Sequence, residues 1–398
     1  MNLGMIRYLL GWVMNIEAAL LLLPCTVAVI YGEADGFFLL AVAVVLALFG
    51  TACVLKQPKN RTIYAKEGFV TTALAWILLS VAGAMPFFLS GAIPSFVDAL
   101  FETVSGFTTT GATILTDIEG LHNGGLMFWR SFTHWIGGMG VLVFMLAVVP
   151  LAGGQSMVLM RAESPGPSVG KLVPKLRTTA MILYGIYLVM TLIEVALLLV
   201  GGMPLFDALT VSFGTAGTGG FAIKNLSMGA YNSYYLQGVV TVFMLLFGVN
   251  FVVYYLLLTK RPGQALRCEE VRWYFGTVAV STAFITFNIL GQSRGLYDAF
   301  HQAAFQVSSI ITTTGFSTVD FNSWPELSRV ILVILMFIGA CAGSTGGGIK
   351  VGRFVIMLKT VKKELSHLIH PRNVKVLKMD GKPIPHETVR GVNIFFIT

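Results

Sequence analysis

Long apolar runs alternate with short polar connections along almost the whole chain. The runs fall near 8–30, 36–55, 69–91, 128–151, 178–201, 236–258, 271–291 and 328–342. A membrane-spanning helix takes roughly 20 predominantly apolar residues, so each run predicts a span. A shorter apolar stretch, 349–358, follows the last run after a glycine-rich break. The first run contains Glu17 and follows only Arg7 as a cation, and it is too long for the core of a signal peptide. It reads as a retained helix.

Composition agrees with that pattern. Hydrophobic residues make up 55 % of the 398 positions and charged residues 12 %, against about 25 % charged in ordinary soluble domains. This excludes a soluble globular enzyme, a disordered chain and a disulfide-built secreted domain. Cys25, Cys53, Cys268 and Cys341 share no metal-ligand spacing. The net charge of +8 comes from cations lying between the apolar runs, so they read as flanks of membrane helices and not as a nucleic-acid surface.

The positions of those charges set an orientation. Lys56, Lys59, Arg61 and Lys66 follow the second run. Arg161, Lys171, Lys175 and Arg177 follow the fourth, and Lys260, Arg261, Arg267 and Arg272 follow the sixth. The alternate connections hold Glu33, Asp35, Asp117, Glu119, Asp320 and Glu326. Cytoplasmic loops carry the excess of Lys and Arg, so the amino terminus is expected inside and the acidic loops outside.

Three of the outer connections repeat one block. Asp98 to Thr113, Asp207 to Ala222 and Gln302 to Ser317 align without a gap, and Gly111, Gly220 and Gly315 each stand 13 positions after the first residue of their block. Each begins with a short amphipathic segment and ends in Gly and Thr. The predicted unit is helix, re-entrant half-helix, Gly/Thr loop, helix, with half-helices near 96–105, 204–213 and 299–309. Non-helical backbone at membrane depth is tolerated only where it is buried or lines a watery cavity. Three such segments therefore predict an all-α polytopic membrane protein whose units surround a central pore. A dehydrating cation needs several oxygen ligands, which backbone carbonyls supply where glycine permits the turn. The half-helices would aim their negative C-terminal ends at it. Asp98 and Asp207 read as N-caps of the first two half-helices and charge partners of their dipoles, with a role in concentrating cations near the entrance left open.

These residues resemble the Trk/Ktr/HKT superfamily of potassium transporters. Thr108-Thr109-Thr110-Gly111, Gly217-Thr218-Gly219-Gly220-Phe221 and Thr312-Thr313-Thr314-Gly315-Phe316 match its filter loops, and Gly343-Ser344-Thr345-Gly346-Gly347-Gly348-Ile349-Lys350 matches the broken helix of its third unit. The resemblance, closest to the bacterial TrkH branch, implies an organisation in pieces. Residues 1–56 form two extra helices, 66–151 pore unit 1, 175–258 pore unit 2 and 271–358 pore unit 3 with a broken second helix. A basic cytoplasmic linker, 359–390, then precedes the start of a fourth unit at 391–398. That family pattern places a fourth filter glycine beyond position 398, so the chain is expected to be a fragment or truncated product, one wall short of a conducting pore. The implied function is potassium uptake as the pore-forming subunit of a Trk-type system, in the bacterial inner membrane. Potassium would be held at Thr109, Thr110, Gly111, Thr218, Gly219, Gly220, Thr313, Thr314 and Gly315. Gly343, Ser344, Thr345, Gly346, Gly347, Gly348 and Lys350 would form a gating loop. The resemblance further implies no catalytic residue and no cofactor, with potassium as substrate. As partners it implies membrane lipid, a second copy in a homodimer, and a cytosolic nucleotide-binding regulatory subunit of TrkA type. No nucleic-acid partner is implied.

The segment at 343–348 misses the phosphate-loop pattern, because Ile349 separates the glycines from Lys350 and no strand precedes it. A plain helix kink there stays open. A secondary transporter with broken helices for another small cation or an organic solute is the alternative function. It predicts inverted halves and internal charges, whereas these repeats are parallel and their loops uncharged. An enzyme would need clustered acids or histidines, and the six histidines are scattered. Glu17 and Glu194 lie within apolar runs, where an ionisable residue is a functional candidate or equally faces and pairs with a neighbouring helix, and both readings stay open. Arg130 is expected to snorkel at the outer interface and His134-Trp135 to anchor there. Lys359 to Lys382 reads as a solvated, lipid-headgroup-facing flank, to which the resemblance adds a docking surface for the cytosolic nucleotide-binding regulator.

Overall fold

A computed structural model describes residues 1–58, 64–121, 124–148, 176–370 and 376–397. Lys59, Arg61, Arg161, Lys171, Lys175, Arg372 and Lys375 of the basic connections lie outside the described residues, as do the ends of pore units 1 and 2 around 149–175. The described residues fall into two compact bodies, one up to Asn232 and one from Ser233.

The first body holds α1 (Leu3–Tyr31), α2 (Gly36–Leu55), α3 (Ala65–Leu89), α4 (Phe96–Phe107), α5 (Gly124–Val148), α6 (Leu176–Val200) and α7 (Leu205–Ala216). Asn2 starts α1 by accepting the Met5 amide on its side chain (3.2 Å). Helices α1 and α2 pack through small residues. A Cβ on Gly11 would sit 2.8 Å from the Gly50 carbonyl, and one on Gly50 equally close to the Gly11 carbonyl. Such close backbone approach is a normal way to join helices where lipid removes the hydrophobic drive between them. The turn after α1 reaches the start of α5. Both carboxylate oxygens of Glu33 accept amides there, from Gly124 (2.6 Å) and Gly125 (2.9 Å). Those are orphan amides of a helix N-terminus, where a negative group is favoured. Glu33→Ala is expected to lower stability by about 1–2 kcal/mol, read as a drop in the thermal midpoint of the detergent-solubilised protein.

The second body holds α8 (Tyr234–Phe247), α9 (Phe251–Leu258), α10 (Pro262–Leu266), α11 (Glu269–Ile289), α12 (Leu296–Ile311), α13 (Glu326–Ile338), α14 (Val351–Ile369), the hairpin β1 (Lys378–Met379) and β2 (Lys382–Pro383), and α15 (His386–Ile397). Here one expectation is corrected. The apolar run 236–258 predicts one span, but α8 and α9 meet at 91° across Gly248-Val249-Asn250. Backbone groups freed by the bend are taken up elsewhere: the Gly248 carbonyl accepts the Cys341 amide (3.0 Å), and the Val252 amide donates to the Asn250 side chain, which caps α9 (2.9 Å). The helix expected over 349–358 also runs on to Ile369, well into the stretch read as linker.

Among the described residues, five helices are long and apolar enough to cross a membrane, and the bent pair α8–α9 would make a sixth. Their outward faces carry large apolar side chains such as Val44, Leu48, Phe49, Phe284 and Phe287. Water does not tolerate such continuous apolar faces on a monomer. The chain is a multi-pass membrane protein.

Candidate functional site

The three half-helices are α4, α7 and α12. Each ends in the same backbone gesture. Thr109, Thr218 and Thr313 have φ of 53°, 52° and 59°, and two positions later Gly111, Gly220 and Gly315 have φ of 76°, 77° and 86°. Left-handed backbone at a β-branched residue is a genuine outlier, and each such threonine carries strain of about 1–3 kcal/mol. Its recurrence at one position in three loops marks a common construction. Positive φ at both positions reorients the adjoining peptide planes in the same way in all three loops. Matching hydrogen bonds hold it. The Thr110 amide donates to the Ser105 carbonyl (2.9 Å), Gly219 to Gly214 (3.0 Å) and Thr314 to Ser309 (2.9 Å).

The start of the half-helices differs from expectation. The N-cap of α4 is Ser95, whose side chain accepts the Asp98 amide (3.4 Å), so Asp98 lies in the first turn. Asp207 likewise sits in the first turn of α7 and accepts the Tyr231 hydroxyl (2.7 Å). The third half-helix, α12, is one turn longer than the other two. Its first-turn acid is Asp298, which accepts the Arg294 amide (3.1 Å) and the Tyr234 hydroxyl (3.0 Å). Aligning Gln302 with Asp98 hid this acid, because the extra turn lies upstream of the repeated block.

In the first body, loops 1 and 2 lie against each other. A Cβ on Gly111 would overlap the Gly219 carbonyl oxygen. Helix α5 backs both loops. A Cβ on Gly137 would overlap the Phe107 carbonyl at the entry to loop 1, and one on Gly138 would lie 2.6 Å from the Cα of Gly217 in loop 2. Arg130 and His134, one turn apart on α5, are not interfacial. They are 2 % and 0 % exposed, and they enclose Phe221 directly after the loop 2 glycine. The guanidinium lies 3.7 Å from the Phe221 ring centroid. The imidazole stacks on the other side (4.0 Å) and accepts the Phe221 amide at Nδ1 (3.3 Å). Trp135 is also buried, and its carbonyl accepts the Tyr187 hydroxyl (3.1 Å). The expected snorkelling of Arg130 fails because a buried acid waits for it. Glu102 of α4, 1 % exposed, meets its Nε at 2.6 Å.

A substitution tests this backing. A methyl on Gly219 would meet the His134 ring edge within 2.6 Å. Gly219→Ala is expected to destabilise the first body by about 1–3 kcal/mol, as overpacking does. An unchanged thermal midpoint would show that the imidazole is free to yield.

Loop 3 and the glycine-rich segment belong to the second body. Helix α13 stops at Ile338, and the chain turns through Gly339, Gly343 and Gly348, all at φ between 72° and 78°, before Lys350 (φ 80°) opens α14. This segment reaches loop 3 directly. The Gly347 amide donates to the Thr313 hydroxyl (2.7 Å), and a Cβ on Gly346 would lie 2.9 Å from the Thr312 carbonyl. The Phe251 amide donates to the Gly343 carbonyl (3.0 Å), so the bend between α8 and α9 seats the segment. Ser344 donates back to Cys341 (2.7 Å), Thr345 donates to the Phe247 carbonyl (3.3 Å), and the Lys350 ammonium donates to the Gly346 carbonyl.

One carboxylate escaped sequence reasoning here. Glu270, at the start of α11 and 5 % exposed, accepts the Ala342 amide (2.7 Å) and the Gly352 amide (3.0 Å) on the same oxygen. It closes both ends of the glycine-rich segment. Its neighbour Glu269 pairs with Lys359 (2.5 Å) and donates its amide to Asp380 (2.6 Å) at the tip of the β1–β2 hairpin. The Lys359 ammonium also donates to the Lys378 carbonyl (2.8 Å), so part of the basic stretch folds back instead of lying free. Glu17 is buried with neither oxygen paired among the described residues, and Glu194 is buried as well.

Comparison with known proteins now bears on this geometry. A family model for TrkH, described as a cation transport protein, matches residues 37–291 and 292–398. The Trk system potassium uptake protein TrkH of Vibrio parahaemolyticus is 34 % identical over 397 residues, covering 98 % of this chain and 81 % of that protein. The protein of the same name from Escherichia coli K12 is 34 % identical over 404 residues, covering 100 % of this chain and 83 % of its own length. The crystal structure of the potassium transporter TrkH from Vibrio parahaemolyticus superposes with a TM-score of 0.88 at 31 % identity, over 100 % of this chain and 83 % of that one. With matching sequence along nearly its whole length and a shared fold, the chain belongs to the TrkH family of cation transport proteins.

Proposed function

We propose that this protein is the pore-forming subunit of a Trk-type potassium uptake system. The observation that carries the reading is the threefold recurrence of left-handed threonine and left-handed glycine, at Thr109/Gly111, Thr218/Gly220 and Thr313/Gly315. Uncharged carbonyls facing one way replace the hydration shell of an alkali cation without trapping it. Thr109, Thr110, Gly111, Thr218, Gly219, Gly220, Thr313, Thr314 and Gly315 are assigned as the ion-binding segments. Each follows the C-terminal end of a half-helix, which is negative and favours a cation.

The segment Gly343 to Gly348 with Lys350 is assigned as the gate. It is uncharged up to Lys350, rich in glycine and in contact with Thr313. The excess of cations on alternate loops supports an amino terminus in the cytoplasm, and a bacterial inner membrane is the matching location. A homodimer and a cytosolic nucleotide-binding regulator complete the proposal, the basic stretch from Lys359 to Lys382 offering the docking surface. The function is tested by producing the full-length protein in cells that lack their own potassium uptake. Growth at low external potassium is expected to return. Abundant membrane-inserted protein without growth would defeat the proposal.

A further inference from the structure

We infer that the Glu102–Arg130 ion pair is a positioning device that fixes the separation of the first two carbonyl-bearing loops, and with it their ion selectivity. The inference rests on reading those loops as the filter.

The pair is 1 % exposed on both sides. Its contacts go to the two chain segments leaving the filter glycines. Glu102 accepts the Thr113 hydroxyl on Oε1 (2.8 Å) and the Ile114 amide on Oε2 (3.1 Å). Arg130 donates through Nη1 to the Ala222 carbonyl (2.9 Å) and lies over the Phe221 ring (3.7 Å). Thr113 and Ala222 each stand two positions after their filter glycine. The acid therefore grips the exit of loop 1, the base grips the exit of loop 2, and the ion pair joins them. Just outside it, the Asn225 side chain adds a neutral bridge, accepting the Ile118 amide (2.8 Å) and donating to Asp117 (2.8 Å).

The third repeat shows that the fold of the unit does not need the pair. Gln306 holds the position of Glu102, and its amide donates to the Val319 carbonyl (3.2 Å). The exit of loop 3 is tied by a neutral bond within its own repeat, from the Ser309 hydroxyl to the Phe316 carbonyl (2.6 Å). Burying two charges is also a poor way to gain stability, since desolvation offsets most of their attraction. What the pair supplies is a rigid, directional link. A planar guanidinium, donating through Nε to Glu102 and through Nη1 to Ala222, provides that and an ammonium does not.

The test is the rubidium-to-sodium uptake ratio of the full-length protein in proteoliposomes. Glu102→Gln and Arg130→Lys are each expected to lower the ratio about tenfold, a difference of about 1.4 kcal/mol, while the yield of monodisperse protein stays unchanged. Because a lone buried charge can prevent folding, the double variant Glu102→Met/Arg130→Met is measured too, and the same fall is expected. An unchanged ratio in any variant that accumulates overturns the inference. Failure of all three to accumulate also overturns it, since the pair would then serve the fold. Gly111→Asp is run alongside. If that variant transports normally, the filter reading itself fails. If it is dead while the pair variants keep their selectivity, only the positioning role falls.

Discussion

Gly315→Asp is expected to reduce rubidium uptake by at least about a hundredfold without preventing the protein from folding. A Cβ at Gly315 meets nothing within 4 Å, so crowding is not the cause. Two effects remain. The residue sits at φ 86°, where a side chain adds strain of about 1–3 kcal/mol. The carboxylate also introduces a full charge where the loop offers only dipoles. At about 4 Å and an effective dielectric near 20, that charge attracts a monovalent cation by about 4 kcal/mol. An ion held that much more tightly leaves roughly a thousandfold more slowly. The charge therefore dominates the strain. Gly315→Ala, which carries the strain alone, is expected to lose only about tenfold. Wild-type uptake by Gly315→Asp would remove loop 3 from the ion path. Gly111→Asp should be equally inactive for an added reason, since its Cβ overlaps the Gly219 carbonyl.

The second large effect concerns the glycine-rich segment. Glu270→Ala is expected to raise the basal rubidium flux of the purified protein about tenfold or more. One oxygen of Glu270 holds the amides of Ala342 and Gly352, on either side of the segment. Removing it leaves the buried Gly352 donor unsatisfied, at about 1–3 kcal/mol, and frees the half-buried Ala342 donor at a smaller cost. A shift of even about 2 kcal/mol changes the ratio of seated to released segment by roughly thirtyfold. The Thr313 hydroxyl contact with Gly347 would be lost along with the seating. Amide hydrogen exchange across 340–352 should quicken in the same variant. A protected segment together with unchanged flux would show that Glu270 does not control the gate.

Much of this architecture is legible in the chain, and the exceptions have physical reasons. Hydropathy locates spans but is blind to a bend between two apolar stretches. Gly248 and Asn250 are too brief an interruption to divide the apolar run, yet the chain turns by 91° there. The filter loops are legible because strain and carbonyl direction demand Gly and Thr at fixed positions, and those demands recur three times. The backing of the loops is not legible. Arg130 lies near the start of an apolar run, where a cation normally reaches for water. Only its proximity to Glu102, 28 positions away, turns it inward. The one-turn spacing of Arg130 and His134 was the available signal, since it places both on one face of α5. Glu270 is hidden for a similar reason. An acid in the first turn of a helix reads as an ordinary dipole partner, and its contacts with Ala342 and Gly352 span 72 and 82 positions.

The filter assignment is tested most directly by locating the ion. Crystals of the full-length protein soaked in thallium, a heavy mimic of potassium, should give anomalous density within coordination distance of the carbonyls of Thr110, Gly111, Gly219 and Gly220, and likewise of Thr314 and Gly315. Sodium added in excess should leave that density in place, and potassium in excess should erase it. Density confined to acidic side chains such as Asp117 and Glu119, with none at the Thr/Gly carbonyls, would contradict the account.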